Sequence, residues 1–378
     1  MELIKRNRCA VTGARDLEPL YTFKRFPVFM GCTKEPEALD LKADMAWAIS
    51  GSSGVIQLKS LLPLDVLYCA AHGAGCVGSM WQKHHRAFAL HLRQFKWSSV
   101  FEIGGSHGIL AKEYDGTGRF PWTILDPNPA PVSGSPARFI NGFFDAGFKY
   151  SGPFDAVVLS HVLEHAYSPD DLMAQLAGFM KTGTTLALSI PNMRVWLERM
   201  YTSCLNFEHT ALLTEPYVEY LLSKHGFRFE GKKYFMEDHS IFYTAVRDAV
   251  VRTTALPGGL YEAHKKLYGE YLRHHSNLTK ELNAKTLAAD RPVYLFGAHI
   301  FAQALIAFGL DTDRIACLLD NDPGKQGKRL YGTNLTVNSP KILAGIKRPA
   351  VILKAGVYNH EIKEDILSTI NRNTIFWE

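Results

Sequence analysis

The stretch Ser99-Val100-Phe101-Glu102-Ile103-Gly104-Gly105-Ser106-His107-Gly108 decides how this chain is interpreted. Its first half is an apolar run typical of a β-strand, and its glycine-rich second half predicts a tight turn before a helix. Glycine in such a turn lets the backbone approach a ligand closely, because a Cβ there would clash. A second strand at 122–125 ends on Asp126, and an acid so placed can hydrogen-bond a ribose diol. Together the turn and the acid predict a nucleoside-binding site.

Composition places the chain among ordinary globular proteins of two or three domains, since it has 378 residues, 47% of them apolar and 21% charged. The net charge of +5 is dispersed and forms no basic block, so we expect no nucleic-acid partner. No run of about 18 apolar residues predicts a membrane span, and the first residues lack the apolar core of a signal peptide. The scattered cysteines favour a reduced, cytoplasmic setting. They are Cys9, Cys32, Cys69, Cys76, Cys204 and Cys317.

Strand and helix patterns alternate through the middle of the chain. Strands are predicted at 99–103, 122–126, 155–160 and 184–190, with helices between them. This alternation predicts an α/β fold with a mostly parallel, doubly wound sheet, whose ligand lies beyond the carboxyl ends of the strands. We divide the chain into a small N-terminal lobe, a helical lead-in with the nucleoside-binding domain, a helical connector and a second, C-terminal α/β domain. Their bounds are 1–60, 61–255, 256–290 and 291–378.

A zinc site in the N-terminal lobe is the obvious alternative to a purely packed lobe, because its predicted segments are short. A structural zinc site needs four cysteine or histidine ligands, usually from two close pairs. Cys9 has Thr12 where its partner would stand, and the second pair is replaced by Ser50 and Ser53. Hydroxyls are poor zinc ligands, so we expect no metal.

The turn favours S-adenosylmethionine (SAM) over a dinucleotide. A dinucleotide fingerprint is G-x-G-x-x-G, whereas here Glu102 precedes a G-x-x-x-G turn. An acid there repels a pyrophosphate and suits the ammonium group of a methionine moiety. The predicted cofactor-binding residues are Glu102, Gly104, Gly105, Ser106, Gly108, Asp126, Pro127, Asn128, Phe144, Asp145, Ser160, His161 and His165.

The chain resembles the class I SAM-dependent methyltransferases, and more narrowly the nucleotide-sugar C-methyltransferases. Five segments in the family's order carry the resemblance: Gly54-Val55-Ile56-Gln57-Leu58, Glu102-Ile103-Gly104, Asp126-Pro127, Glu208-His209 and Asp320-Asn321-Asp322-Pro323-Gly324-Lys325-Gln326-Gly327-Lys328. The resemblance implies a zinc-binding N-terminal lobe, here degenerate, a Rossmann-like SAM domain, and a C-terminal Rossmann-like domain that helps to hold a nucleotide-linked sugar.

Within that resemblance His209 is the expected general base, because an imidazole titrates near neutral pH, and Glu208 orients a partner or substrate hydroxyl. The expected substrate-binding residues are Tyr68, Asn206, His239, Lys325, Tyr358 and Asn359.

The chain departs from the family on the substrate side. The family's tyrosine-containing segment is Asn206-Phe207-Glu208-His209 here, and its His-Gly-Gly-Ser segment is Glu237-Asp238-His239-Ser240. Three alternatives therefore stay open beside C-methylation. They are O-methylation of a sugar hydroxyl, a catalytically silent SAM- or nucleotide-binding partner protein, and a redox enzyme that uses the C-terminal domain. The sequence predicts no oligomeric state.

Overall fold

The computed structural model describes residues 2–68 and 78–378. Cys69 and Cys76 lie outside the described residues. The other four cysteines carry free thiols. Across the described ranges, no helix combines the length and the apolar character needed to cross a bilayer.

The N-terminal lobe is more regular than its turn-rich sequence predicts. Its strands are β1 (Ile4–Lys5), β2 (Leu17–Pro27), β3 (Cys32–Thr33), β4 (Lys42–Ser50), β5 (Ile56–Leu58) and β6 (Ser60–Leu61). Strands β2, β4 and β5 form an antiparallel sheet, and β1 pairs with β6. The side chains of Phe23, Met45 and Trp47 are buried in a core that this lobe shares with later helices. The lobe therefore docks on the rest of the molecule through its apolar face.

The middle of the chain forms the predicted doubly wound sheet. Its elements begin with α1 (Leu64–Leu67), α2 (Ser79–Leu92), β7 (Val100–Ile103), α3 (Ile109–Tyr114), β8 (Trp122–Asp126), β9 (Arg138–Asn141), β10 (Ala156–Ser160), α4 (Pro169–Phe179), β11 (Thr185–Pro191), α5 (Met193–Glu198), α6 (Glu215–Lys224), β12 (Phe227–Phe235) and β13 (Ser240–Arg247). The order across the sheet is β12-β13-β11-β10-β7-β8-β9. All neighbours are parallel except at the β12–β13 hairpin and where it joins β11. Strands β7, β8, β10 and β11 match the four predicted strands, whereas the edge strand β9 was not predicted.

The order of the strands fixes the place of the site. The chain runs from β7 outward through β8 and β9, and then returns to place β10 on the other side of β7. Ligands of open α/β sheets bind where the order reverses, beyond the carboxyl ends of the strands. The turn that begins at Gly104 follows β7, and His161 follows β10, so both lie at this reversal point.

A second parallel sheet follows the long helix α7 (Leu260–Ala288). Its elements are β14 (Val293–Phe296), α8 (Ile300–Ala307), β15 (Ile315–Leu319), β16 (Arg329–Leu330), β17 (Val337–Asn338), β18 (Ala350–Leu353), α9 (Asn359–Asp365) and β19 (Ile375–Trp377). The order β17-β15-β14-β18-β19 reverses between β14 and β18. The predicted second α/β domain is confirmed, and α7 lies within the range 256–290 expected for a helical connector.

The N-terminal lobe binds the C-terminal domain directly. Strand β3 pairs with β16. Arg329 donates to both carboxylate oxygens of Asp40 at 2.7 and 2.8 Å, and the Asp40 side chain is only 1% exposed. The thiol of Cys32 donates to the carbonyl oxygen of Ala298 at 3.4 Å. The first and last parts of the chain thus form one interface beside the middle domain.

Candidate functional site

The glycine turn is a close-packed backbone loop. Gly104 has φ +76° and Gly108 has φ +64°, the left-handed region that favours glycine. The Gly104 N–H donates to the carbonyl oxygen of Leu125 at 2.8 Å, which ties the turn to β8. A Cβ on Gly104 would lie 2.5 Å from Val162 Cγ2. Only glycine fits at this position, as the sequence predicts for a loop that a ligand approaches.

Asp126 closes the other side of the loop. Its carboxylate accepts the Ser106 N–H at 2.9 Å and the Asn128 N–H at 2.8 Å. The Asn128 amide in turn donates to the carbonyl oxygen of Tyr68, which brings this predicted substrate residue beside the loop. Pro127 accepts a hydrogen bond from Asn141 at 2.7 Å. Each carboxylate oxygen of Asp126 keeps a further lone pair, which is what a ribose diol requires.

Glu102 lies beneath the turn instead of facing the cleft. Its side chain is buried, and Oε2 accepts the Trp122 indole N–H at 2.7 Å. A Cβ on Gly105 would lie 2.6 Å from the Glu102 carboxyl carbon. Burial raises the pKa of Glu102 to about 8, although the hydrogen bond from Trp122 opposes the shift. The carboxyl group therefore supports the loop from behind, in a position that does not suit the expected direct contact with a ligand ammonium.

Phe144 and Asp145 take structural positions. The Phe144 ring packs against Phe148 and Phe179, with ring centroids 5.9 and 5.2 Å away. Asp145 is exposed and accepts the N–H of Gly147 at 2.8 Å. Phe144 thus belongs to the core and Asp145 to a surface turn, and neither geometry is that of a residue lining a cleft.

Buried histidines follow β10. His161, directly after Ser160, bonds the Ser240 hydroxyl through Nε2 at 3.0 Å, and the same hydroxyl lies 2.7 Å from Nδ1 of His239. Burial lowers the pKa of both imidazoles to about 3. His239 was expected to bind substrate, but its ring nitrogen is engaged with its neighbour. Both rings are therefore neutral packing and hydrogen-bonding groups at neutral pH.

Four further side chains lie together next to His161: Glu164, His165, Glu208 and His209. We call these four side chains the acceptor group. The His165 and His209 ring centroids are 5.3 Å apart, and His165 Nδ1 lies 3.9 Å from Glu208 Oε2. Ligand atoms of Glu164, His165 and His209 all lie within 4.8 Å of one another, a spacing that could hold a metal ion. Burial raises the pKa of Glu164 to about 7 and lowers that of His209 to about 3. Glu164 was not among the predicted site residues, although it directly precedes the predicted His165.

Asn206 lies behind His209 and not toward a substrate. Its Oδ1 accepts the backbone N–H of His209 at 2.7 Å, and its Nδ2 lies 3.0 Å from His209 Nδ1 and 3.2 Å from the carbonyl oxygen of Ser203. The whole amide is 4% exposed. The expected substrate contact is therefore corrected to a role in positioning His209.

The C-terminal domain reaches the acceptor group through His299, which follows β14 and was not predicted as a site residue. Burial lowers the pKa of His299 to about 4, the Lys325 charge adds to the shift, and the Glu208 carboxylate opposes it. Both charges thus act on one imidazole. A Cβ on Gly31 of the N-terminal lobe would lie 3.9 Å from the His299 ring. The N-terminal lobe, the middle domain and the C-terminal domain thus all contribute residues near His299. In the sequence, the signal for His299 is Gly297, two residues before it.

Of the remaining predicted substrate residues, Lys325 pairs with Asp320 at 2.9 Å, and the amide of Asn359 accepts the Ala355 N–H at 2.7 Å. The Tyr358 ring lies 6.3 Å from that of Phe301. All three follow strands of the second sheet at its carboxyl edge. Lys325 and Asn359 use their polar groups within their own loops.

Cys9, Thr12, Ser50 and Ser53, the residues weighed as zinc ligands in the sequence, come together in the N-terminal lobe. Cys9 Sγ lies 3.3 Å from Ser53 Oγ, which donates to Ser50 Oγ at 2.9 Å. The Ser50 hydroxyl donates to Asp16 at 2.8 Å, and the Thr12 N–H donates to Cys9 Sγ at 3.5 Å. A hydrogen-bonded chain thus links the two turns of the lobe.

Residues 79–230 match the family model described as a methyltransferase domain, and no characterised protein matches the sequence as a relative. Solved structures resemble this part of the chain at low similarity. An O-methyltransferase family protein from Burkholderia thailandensis is 14% identical over 45% of this chain and 57% of its own, with a TM-score of 0.34. The N-methyltransferase NodS from Bradyrhizobium japonicum is 12% identical over 44% and 96%, with a TM-score of 0.34. Human N-acetylserotonin methyltransferase, solved with SAM, is 18% identical over 44% and 57%, with a TM-score of 0.31. This chain thus spans just over half the length of two of the three, and likeness at this level carries no argument about substrate.

The middle of the chain is therefore a class I methyltransferase domain, as its matched family model and strand order agree. Its cofactor is SAM. The loop fits this group, because Gly104 leaves no room for a Cβ and Asp126 retains lone pairs at the end of β8. The segment 99–108 also contains no lysine or arginine that would neutralise a pyrophosphate. Gly104, Gly105, Ser106 and Asp126 are the residues that would hold it.

Proposed function

We propose that this protein is a SAM-dependent methyltransferase that acts on a sugar, and that the sugar is nucleotide-linked. One observation carries the proposal. The acceptor group lies where the C-terminal domain reaches the methyltransferase domain, since Glu208 and Lys325 both act on the His299 imidazole. We therefore treat the donor loop, the two imidazoles and the second parallel sheet as parts of one site.

The second sheet supports the nucleotide part of the proposal. Its strand order reverses between β14 and β18, and such a reversal is where open α/β sheets bind nucleotides. His299 and Tyr358 follow these two strands. Since His299 also borders the acceptor group, a nucleotide held there would present its sugar toward His165 and His209.

SAM, when bound, supplies a methyl group on a sulfonium, a strong electrophile that needs an electron-rich acceptor. The protein's own task is to remove a proton from the acceptor carbon or hydroxyl and to stabilise the negative charge that develops. An imidazole of the acceptor group would remove that proton, and the sequence names His209 for it. Glu208 places a carboxylate beside His165, and Glu164, whose pKa burial raises to about 7, adds a titratable carboxyl group.

The test has two stages. Titration calorimetry with S-adenosylhomocysteine should show binding by the wild-type protein and none by Gly104→Val, whose side chain would collide with Val162. Gly178→Ala is the matched control, because a Cβ there has open space. Methyl transfer is then measured from radiolabelled SAM to a panel of nucleotide-linked ketosugars and sugar alcohols.

The product decides among the remaining alternatives. Mass spectrometry with proton NMR distinguishes a new C-methyl from a new O-methyl group, so it separates C-methylation from sugar O-methylation. Binding of S-adenosylhomocysteine without turnover on the whole panel would favour a catalytically silent partner protein. Absence of binding in the wild-type protein would refute the proposal altogether.

A further inference from the structure

The orientation of the Asn206 amide is fixed by its surroundings. Its Oδ1 accepts the His209 backbone N–H at 2.7 Å, and its Nδ2 faces the carbonyl oxygen of Ser203 at 3.2 Å. Rotating the amide by 180° would place its NH2 group against the His209 N–H and its oxygen against the carbonyl oxygen of Ser203. The group 3.0 Å from His209 Nδ1 is therefore an N–H donor.

This contact decides the tautomer of His209. A neutral imidazole has one N–H and one lone pair, and the hydrogen bond made by one nitrogen sets the state of the other. Nδ1 accepts from Asn206, so the proton is on Nε2. Burial, the largest cause, keeps the pKa of this imidazole low, at about 3, so the ring stays neutral at physiological pH. His209 then carries an N–H donor on Nε2, not a free lone pair.

His165 has the complementary arrangement. Its Nδ1 lies 3.9 Å from Glu208 Oε2, so the field of that carboxylate favours a proton on Nδ1 and leaves the lone pair on Nε2. The side chain is 22% exposed, so a substrate can reach it. Glu164 is buried, its Oε1 lies 3.1 Å from His161 Nδ1, and it adds a second carboxyl group beside His165. Glu164, Glu208 and His209 lie beside His165. Three further titratable groups interact with the two carboxyl groups: His161, Tyr68 and His299.

We infer that the two imidazoles divide the work: His165 is the proton acceptor, and His209 is a neutral hydrogen-bond donor to the acceptor's oxygen. The proton of the acceptor C–H or O–H passes to Nε2 of His165. The electron pair left behind forms the bond to the methyl carbon, while the carbon–sulfur bond breaks and its pair stays on sulfur. One positive charge is lost at sulfur and one is gained at His165, which later returns its proton to water.

A metal ion on Glu164, His165 and His209 would use the same atoms, but the Nε2 proton of His209 argues against it. A metal-bound histidine needs its lone pair on the coordinating nitrogen and usually donates from the other one. Here the other nitrogen accepts from Asn206. The geometry favours proton transfer over coordination.

The inference rests on the proposed function, but its first test needs no substrate. Long-range proton–nitrogen NMR spectra of histidine-labelled full-length protein report the tautomer of each imidazole, and His165→Gln and His209→Gln supply the assignments. We expect a proton on Nε2 of His209 and on Nδ1 of His165. The opposite tautomer of His209 in the wild-type protein would overturn the inference. So would cobalt(II) binding in equilibrium dialysis that Glu164→Gln abolishes.

Asn206→Asp is the decisive variant, because an aspartate would accept a proton from Nδ1 and move the lone pair to Nε2. We expect it to switch the His209 spectrum and to lower kcat by about 10²- to 10³-fold, the loss that follows removal of one donor to a developing oxyanion. An unchanged or increased kcat would identify His209 as the base and refute the assignment. Asn283→Asp is the matched control, since that amide is also bonded at both ends, to Gly309 and Asp311, outside the cleft.

Failure of the inference and failure of the proposed function give different results. If the wild-type protein does not bind S-adenosylhomocysteine, the proposed function falls. If it binds and His209 has the other tautomer, only the division of labour falls. If no sugar on the panel reacts, the tautomer spectra still decide.

Discussion

Gly105→Ala tests whether Glu102 acts from beneath the donor loop. Gly105 has no positive φ, so alanine is compatible with its backbone conformation. The new Cβ, however, would lie 2.6 Å from Glu102 Cδ and 2.9 Å from each carboxylate oxygen. The carboxyl group is held by Trp122 in a position 2% exposed, so it cannot swing into solvent.

The expected magnitude follows from two opposing effects. Overpacking a buried site costs about 1–3 kcal/mol, whereas replacing glycine by alanine gains about 0.4–1 kcal/mol through the unfolded chain. We expect the free energy of unfolding to fall by about 1–2 kcal/mol in urea, followed by tryptophan fluorescence and circular dichroism. Gly178→Ala, with open space around its Cβ, should show no loss.

Glu102→Ala in the Gly105→Ala background separates this clash from general damage. Glu102→Ala alone leaves the Trp122 N–H without its acceptor, which costs about 1–3 kcal/mol. Because it also removes the group that the new Cβ strikes, the double variant should lose less than the sum of the single losses, by about 1 kcal/mol or more. Additive losses, or a Gly105→Ala loss no larger than that of Gly178→Ala, would show that the carboxyl group does not lie under the turn.

Three further outcomes are expected. Asp126→Ala should weaken S-adenosylhomocysteine binding at least about tenfold in calorimetry, because two backbone N–H groups of the loop lose their charged acceptor. Each of these hydrogen bonds is worth about 1.5–3 kcal/mol. The control Asp145→Ala, at an exposed position, should leave binding unchanged. Arg329→Met should lower the free energy of unfolding by about 3–5 kcal/mol in denaturant, since it leaves the buried Asp40 carboxylate without its partner; equal stability of Arg329→Met and wild type would contradict the buried pair. The folded pKa of Glu102, about 8, lies above its ordinary value of 4.5, so between these pH values the folded state holds more protons than the unfolded state. The free energy of unfolding of the wild-type protein should therefore fall as pH rises from 4.5 to 8. Glu102→Gln should weaken this pH dependence, because glutamine does not titrate. Parallel pH profiles of wild type and variant would show that Glu102 is ionised in the folded protein.

The sequence predicts the main sheet because its signals are local. The strand ending at Ile103 and the turn from Gly104 depend on apolar periodicity and glycine, and both appear where expected. Strand β9 was missed because Arg138–Asn141 is half exposed at the sheet edge and carries little apolar pattern.

The site could be predicted only in part, because side-chain direction depends on tertiary packing. Glu102 was correctly placed at the end of β7, yet its carboxyl group turns toward Trp122. Asn206 and His209 were both predicted as site residues, but only the structure shows that the Asn206 amide lies 3.0 Å from Nδ1 of His209 and so determines its tautomer. His299 lies far from the acceptor group in the chain, and no local pattern connects them.

The pairing of β3 with β16 has a consequence for how the protein is made. The two strands lie near opposite ends of the chain, at Cys32–Thr33 and Arg329–Leu330. During synthesis the donor loop and its sheet are complete once β13 has emerged, while the N-terminal lobe still lacks this partner. The cofactor half can therefore fold on the ribosome first, and the cleft closes only when the last domain arrives. Until then the edge of β3 remains an open strand, and a nascent chain stalled in α7 should be more sensitive to protease in the N-terminal lobe than the released protein.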